Sequence, residues 1–276
     1  RGVKMIDENR KKVLTILSLG AGVQSSAMAL MSAKGELPPV DCAIFADTGY
    51  EPKGIYDYLN YLKSILPYPV YLVSKGNIKE DMLAAKDTNK FVVAPFFNQH
   101  SITGKKGMIR RQCTSEYKIL PIRKKIRELC NIGYGKHFPK DKYAEQWIGI
   151  STDEIQRMKP ARDKYLLNKH PLIEANMNRQ DCLNWMKKNN FKMPVKSACI
   201  CCPFRDDKGW LEMKKNNPIE FADAVEFDKN IRTINKDSDM KNYTHRSCKP
   251  LDEVDFDKKD NQLDMFNNEC EGLCSV

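Results

Sequence analysis

Histidine is scarce in this chain, tryptophan scarcer, and no apolar stretch reaches the roughly 18 to 20 residues that a bilayer-crossing helix needs. No charged-then-apolar segment of the secretory type opens it, so a cytoplasmic protein without a membrane partner is expected. The four histidines (His100, His137, His170 and His245) lack metal-ligand spacing, and only His245, close to Arg246 and Cys248, stands out. Internal repeats and low-complexity tracts are absent. The ten cysteines are too thinly spread for a secreted disulfide scaffold, which turns attention to metal or redox chemistry. Acidic residues are the minority charge, 36 against 46 Lys and Arg, for a net charge of +10.

What is present begins with an apolar run, Val13 to Leu17, that ends in Ser18-Leu19-Gly20-Ala21-Gly22-Val23-Gln24-Ser25-Ser26 and then turns helix-like. A strand that passes through a glycine-containing turn into a helix leaves unpaired amides and a positive dipole end at one place, where a phosphate fits. The third glycine of the dinucleotide fingerprint and the Gly-Lys-Ser/Thr of the Walker loop are both missing. A tight βα turn with no ligand is the plain alternative.

A second strand-like run, residues 40–46, ends in the cluster Asp47-Thr48-Gly49-Tyr50-Glu51-Pro52. Apolar spacing at Ile55, Tyr58, Leu59, Leu62 and Leu66 predicts a helix over 54–66, and Val70 to Val73 a third strand. This βαβαβ rhythm predicts a doubly wound, mostly parallel α/β sheet with helices on both faces. Residues 94–112 break the rhythm with Pro95, Gly104, Gly107 and paired basic residues, and read as a lid-like loop. A helix over 121–129, a strand over 143–150 and a helix over 179–189 follow. Beyond Cys202 the chain reads as mostly helical and polar, with 236–242 and 252–261 as loop. The expected division is an α/β nucleotide-binding unit over 10–175 and a C-terminal helical, cysteine-rich region over 176–276.

The glycine turn and the Asp47 to Tyr50 cluster resemble the PP-loop superfamily, which includes ATP pyrophosphatases and phosphoadenosine-phosphosulfate (PAPS) reductases. The likeness continues through Cys113 followed by Lys118-Ile119-Leu120-Pro121, Trp147-Ile148-Gly149-Ile150-Ser151 with Arg157, Pro171-Leu172-Ile173-Glu174, and Ser197-Ala198-Cys199-Ile200-Cys201-Cys202-Pro203. Six short matches in family order span roughly residues 13 to 205. The usual loop, Ser-Gly-Gly-x-Asp-Ser, has Gly20 for its first Ser and Gln24 for its Asp. That substitution removes a carboxylate that would help hold Mg near the phosphates.

The resemblance implies binding of ATP or another adenine nucleotide by Ser18, Gly20, Ala21, Gly22, Val23, Gln24, Ser25 and Ser26, with Asp47, Thr48, Gly49 and Gly149 around it. Lys118 and Arg157 are candidate contacts to an anion, since their charges stabilise developing negative charge; a surface ion pair is the alternative for each. Asp47 is either a ribose or metal-water partner or a turn cap, and Asp153 and Glu154 stand in similar positions. Relatives with a [4Fe–4S] cluster carry cysteines matched here by Cys113, Cys199 and Cys202, the fourth ligand being Cys201, Cys270, Cys274 or absent. A structural zinc on Cys199, Cys202, Cys270 and Cys274 competes, because thiolate sets suit both. Cys42, Cys130 and Cys182 read as core fillers.

The tail, Asn268-Glu269-Cys270-Glu271-Gly272-Leu273-Cys274, loosely resembles the Glu-Cys-Gly segment of PAPS reductases, making Cys270 and Cys274 candidate nucleophiles. Three functions stay open at this level. In the first, ATP activates a nucleic acid, tRNA or DNA, for sulfur insertion from a sulfur donor. In the second, Cys270 reduces PAPS or its relative with a thioredoxin-like reductant. The third is a non-catalytic nucleotide or nucleic-acid binder. Basic clusters at 105–111, 123–127 and Lys187-Lys188 suit a phosphate backbone, although solvated helix faces explain them equally well.

Overall fold

The structure, a computed structural model, describes residues 10–88, 94–232, 234 and 239–257. Chain order runs β1 (Lys11–Ser18), α1 (Val23–Ala33), β2 (Cys42–Asp47), α2 (Lys53–Ile65), β3 (Val70–Ser74), α3 (Ile78–Thr88), β4 (Phe97–His100) and β5 (Lys106–Met108). A π-helical turn, Thr114–Ile119, then runs into α4 (Leu120–Leu129). After it come β6 (Lys142–Ile148), a 3₁₀ segment Thr152–Arg157, β7 (Leu166–Lys169), α5 (Pro171–Glu174), α6 (Arg179–Lys188), α7 (Asp207–Asn216), α8 (Pro218–Ile231) and β8 (Met240–Tyr243).

Five strands form one parallel sheet in the order β3-β2-β1-β6-β7. The chain winds one way from β1 to β3 and the other way from β6 to β7, so the gap between the ends of β1 and β6 is the switch point at which such sheets bind ligands. Alternation along the strands separates two cores. Leu17, Phe45 and Trp147 face α1, α2 and α6 with Met28, Leu59, Cys182 and Met186. Ile16, Ile44 and Ile148 face α4 with Ile122 and Ile126. The doubly wound α/β architecture expected from the residues is therefore present.

Local chemistry explains where the helices begin. Asn178 and Asp181 close a reciprocal capping box at α6. Asp206 caps α7 by accepting the Gly209 amide at 2.9 Å, while Pro218 opens α8 where a missing N–H costs nothing. Of the expected core fillers, Cys42 and Cys182 are buried, whereas Cys130 is half-buried.

Two expected loops are strands. Within 94–112, β4 and β5 form an antiparallel hairpin, and Met240–Tyr243, expected as loop, pairs with β4 to complete a three-stranded sheet, β5-β4-β8. The pairing is long-range, so neither segment carries the local alternation by which strands are read. β7 is likewise absent from the sequence reading; its four residues are too few for a periodic signal.

A third core joins Tyr50, Met82, Phe96 and Tyr117 to Trp210, Phe221, Phe227 and Ile231 of α7 and α8. Its polar pin is Asp228, fully buried, which accepts the Thr244 amide and hydroxyl (both 2.8 Å), the Leu251 amide (3.2 Å) and the Arg232 guanidinium (2.5 Å). His245, also buried, has one ring nitrogen 2.8 Å from Asp207 and the other 2.8 Å from the Ser247 hydroxyl. Burial lowers the pKa of His245, against the opposing pull of Asp207, and burial likewise lowers that of His170.

Removing the Asp228 carboxylate strands a half-buried guanidinium and two buried amides, so Asp228→Ala should cost ~3 kcal/mol in urea unfolding. A loss under ~1 kcal/mol would show that Asp228 is not the pin. The histidines set the acid limit. Near pH 6 the unfolded chain takes up protons at these rings and the folded chain does not, so their stability contribution is complete above the ordinary value of 6.5 and declines as pH falls below it. Melting temperature should drop between pH 7 and pH 5, less steeply in His245→Gln; an unchanged slope in that variant would remove His245 from the account.

Candidate functional site

The glycine turn lies at the switch point, held there by contacts that leave little choice of residue. Ala21 takes the left-handed conformation, φ +54°, which a residue with a Cβ adopts only when its surroundings impose it. Ser25 accepts the Gly20 amide at 3.2 Å, curling the turn over the start of α1. On the β6 side a Cβ on Gly149 would stand 2.9 Å from the Ser25 nitrogen, so the strand end and the helix start meet there in backbone contact. The amides of Val23, Gln24 and Ser25 head α1 and by helix geometry have no partner within it.

Gln24 is buried and tethered. Its amide nitrogen lies 3.3 Å from the Ser151 hydroxyl and 3.4 Å from Glu154, and its oxygen accepts from Arg179 at 3.0 Å. Arg157 pairs with the buried Glu154 at 2.5 Å, and Ser151 bonds Asp153 at 2.6 Å. The expected anion contact Arg157 thus has its charge already matched by Glu154. Arg179, Ser151 and Glu154 were not singled out as partners of Gln24, because residues 127 to 155 positions away leave no local pattern.

The second loop folds over the third. Asp47 acts as a turn cap, accepting the Gly49 amide and the Tyr56 hydroxyl, both at 2.8 Å. Gly49 has φ +72°, and a Cβ there would strike the Asn77 Cα at 2.9 Å. The Ile200 amide donates to the Tyr50 carbonyl at 3.0 Å, which brings the cysteine segment alongside. Thr48 Oγ1 then sits 3.2 Å from Cys199 Sγ, and Glu51 Oε1 lies 3.1 Å from Thr48 Oγ1, 3.6 Å from Cys199 Sγ and 4.0 Å from Lys118 Nζ. Glu51 Oε2 is buried without a hydrogen-bond partner. Ser197, two residues before Cys199, donates to the Gly20 carbonyl at 2.5 Å.

Four segments distant in sequence therefore enclose one space, lined by Ser18, Gly20, Glu51, Lys118 and Ser197. Its volume of about 20 Å³ accommodates a water molecule. A nucleotide would enter only as the walls part. A larger cavity of about 430 Å³ lies past the opposite end of α1, lined by Leu37, Pro38 and Pro39, and its charges are paired (Lys12–Glu145 and Lys169–Glu174, both 3.8 Å). The smaller space has the convergent polar groups, so it is the candidate site.

Cys199, Cys201 and Cys202 are buried in a turn that Arg205 clamps through the Ala198 and Cys199 carbonyls at 3.3 and 3.1 Å. Burial, and after it the charge of Cys113, pushes the Cys201 thiol far above the ordinary range. The site thus brings Cys113 electrostatically close to Cys201, and Cys199 to Thr48 and Glu51. Among the described residues no group of three or more His, Cys, Asp or Glu side chains is arranged to hold a metal ion. Of the expected ligands, Cys113, Cys199 and Cys202 are described, whereas Cys270 and Cys274 lie outside the described residues. Among the described residues no helix is long and apolar enough to cross a membrane.

No protein-family model and no curated protein matches the chain. Solved structures are similar to it, two of which follow. One is phosphoadenylyl-sulfate (PAPS) reductase from Candida auris in a phosphate complex: TM-score 0.43, 14% identity, covering 66% of this chain and 75% of that one. The other is the U34-tRNA thiolase NcsA from Methanococcus maripaludis with its [4Fe–4S] cluster: TM-score 0.39, 16% identity, covering 81% and 73%.

Gly149→Ala forces β6 away from α1. It should cost ~2 kcal/mol by overpacking and weaken nucleotide binding in calorimetry, and unchanged stability would mean that the two backbones do not meet as described.

Proposed function

We propose that this protein is an enzyme that binds an adenine nucleotide at the switch point and uses it to activate a nucleic-acid oxygen for replacement by sulfur. The observation that carries this reading is the joining of the glycine turn to a buried thiol through Ser197–Gly20 and Thr48–Cys199–Glu51. The first-turn amides of α1 and the Lys118 ammonium supply positive potential for the phosphates. A carbonyl or phosphate oxygen of the substrate attacks the nucleotide's α-phosphorus; its bond to the β-phosphate oxygen breaks and pyrophosphate leaves. Sulfide-level sulfur from a donor then attacks the adenylated centre, and AMP leaves with the oxygen. Cys199 stands where that sulfur would arrive, with Glu51 Oε1 in reach of its thiol proton.

A second reading, nucleotide binding without turnover, is favoured by Gln24: a tethered neutral amide occupies the position of a carboxylate. The tail-cysteine reductase reading rests on Cys270, outside the described residues.

One assay separates these readings. Incubation with ATP, sulfide and mixed tRNA or DNA should release pyrophosphate and AMP, and Lys118→Ala should lower the rate ~100-fold, as expected for a lost charge at a phosphoryl site. Binding of ATP without release supports the second reading; sulfite release from PAPS replaces the first by the reductase. No binding of any adenine nucleotide would overturn the proposal.

A further inference from the structure

The β4–β5 hairpin does more than close the small sheet. Every residue from Ser101 to Met108 is exposed, and Ile102 at the turn is 78% exposed. The segment from 97 to 115 contains no Asp or Glu and carries Lys105, Lys106, Arg110 and Arg111, so its charge is uniformly positive. The exposed part is the turn and the edge strand β5, outermost in the sheet β5-β4-β8, and an apolar residue beside cations is a composition that packs against bases while the cations hold phosphates.

Position ties this arm to the site. At its base the Arg111 guanidinium lies 5.2 Å from the centroid of the Phe204 ring, two residues beyond Cys202. The chain then passes through Cys113 into the π-helical turn that carries Lys118 to the cavity wall. Lys106 Nζ is anchored to the Ser247 carbonyl at 2.8 Å, fastening the hairpin to the loop after β8. Lys105 and Arg110 are exposed on either side of that anchor.

We infer that the β4–β5 hairpin is an arm that grips the phosphate backbone of a nucleic acid and delivers the strand to the cysteine-lined site, an inference that rests on the nucleic-acid substrate proposed above. The competing role for its lysines is to keep β5, an edge strand, from pairing with other chains.

Fluorescence anisotropy with labelled oligonucleotides tests it, using RNA and DNA of one sequence, each single-stranded and duplex, across a salt series. The full chain is compared with Lys105→Ala/Arg110→Ala and with Lys187→Ala/Lys188→Ala, a control on an exposed basic turn of α6. The arm variant should bind about tenfold more weakly, and the slope of log affinity against log salt should shrink by about 1.4 for a single strand or about 1.8 for a duplex. Whichever probe shows this names the strand chemistry. Equal losses in arm and control variants, no loss, or increased self-association with binding unchanged would each overturn the inference. Should the double variant fail to fold, Lys105→Gln alone is read against the same expectation, at half the slope change. ATP titrated by calorimetry keeps the two readings apart: arm-dependent oligonucleotide binding without ATP binding sinks the nucleotide reading and leaves the arm, and the reverse result does the opposite.

Discussion

The contact on which the molecule depends is the Ser197 hydroxyl donating to the Gly20 carbonyl, across 177 positions of chain. The turn after β1 holds its shape against the preference of Ala21 for negative φ, and residues in such conformations persist only when neighbours over-determine them. Ser25 from within, Gly149 from β6 and Ser197 from the cysteine segment are those neighbours. The same bond that steadies the turn sets Cys199 beside Thr48 and Glu51. Glycine turn and thiol cluster are in this sense one structure.

Burial closes the site. Glu51 is a buried carboxylate with one oxygen unpaired, and an acceptor left so is costly unless something occupies it. Lys118 stands 4.0 Å from the other oxygen. The water-sized space between them means that ligand entry and wall movement are coupled, and the π-helical turn bearing Lys118 is a type of local irregularity frequent at functional sites. Gln24 works in the opposite direction, its amide fixed by Arg179 and Ser151 into a tether between α1 and the segment after β6.

Much of the candidate site could be read from residue order, since turn chemistry is local. Gly20, Gly49 and Gly149 occupy strand ends as their neighbours implied, and the latter two are positions where a Cβ would collide with backbone. Asp47 caps the turn by accepting the Gly49 amide. Glu51 lies in the cluster from Asp47 to Pro52, but nothing local separates a buried carboxylate from a solvated one. Cys113 and Cys201 were legible as thiols, not as neighbours.

What the sequence alone determined is the βαβ order, the two-faced strands and the glycine turn, because strand alternation, helical period and backbone permissiveness act over a few residues. Tertiary structure decided which side chains meet. Cys199 reaches Thr48 across 151 positions, and Gln24 reaches Arg179 across 155. It also turned residues 97–108 into a basic hairpin, because β4 finds its second partner in β8, far along the chain. Such pairings depend on the packed whole, where distance in space replaces distance along the chain.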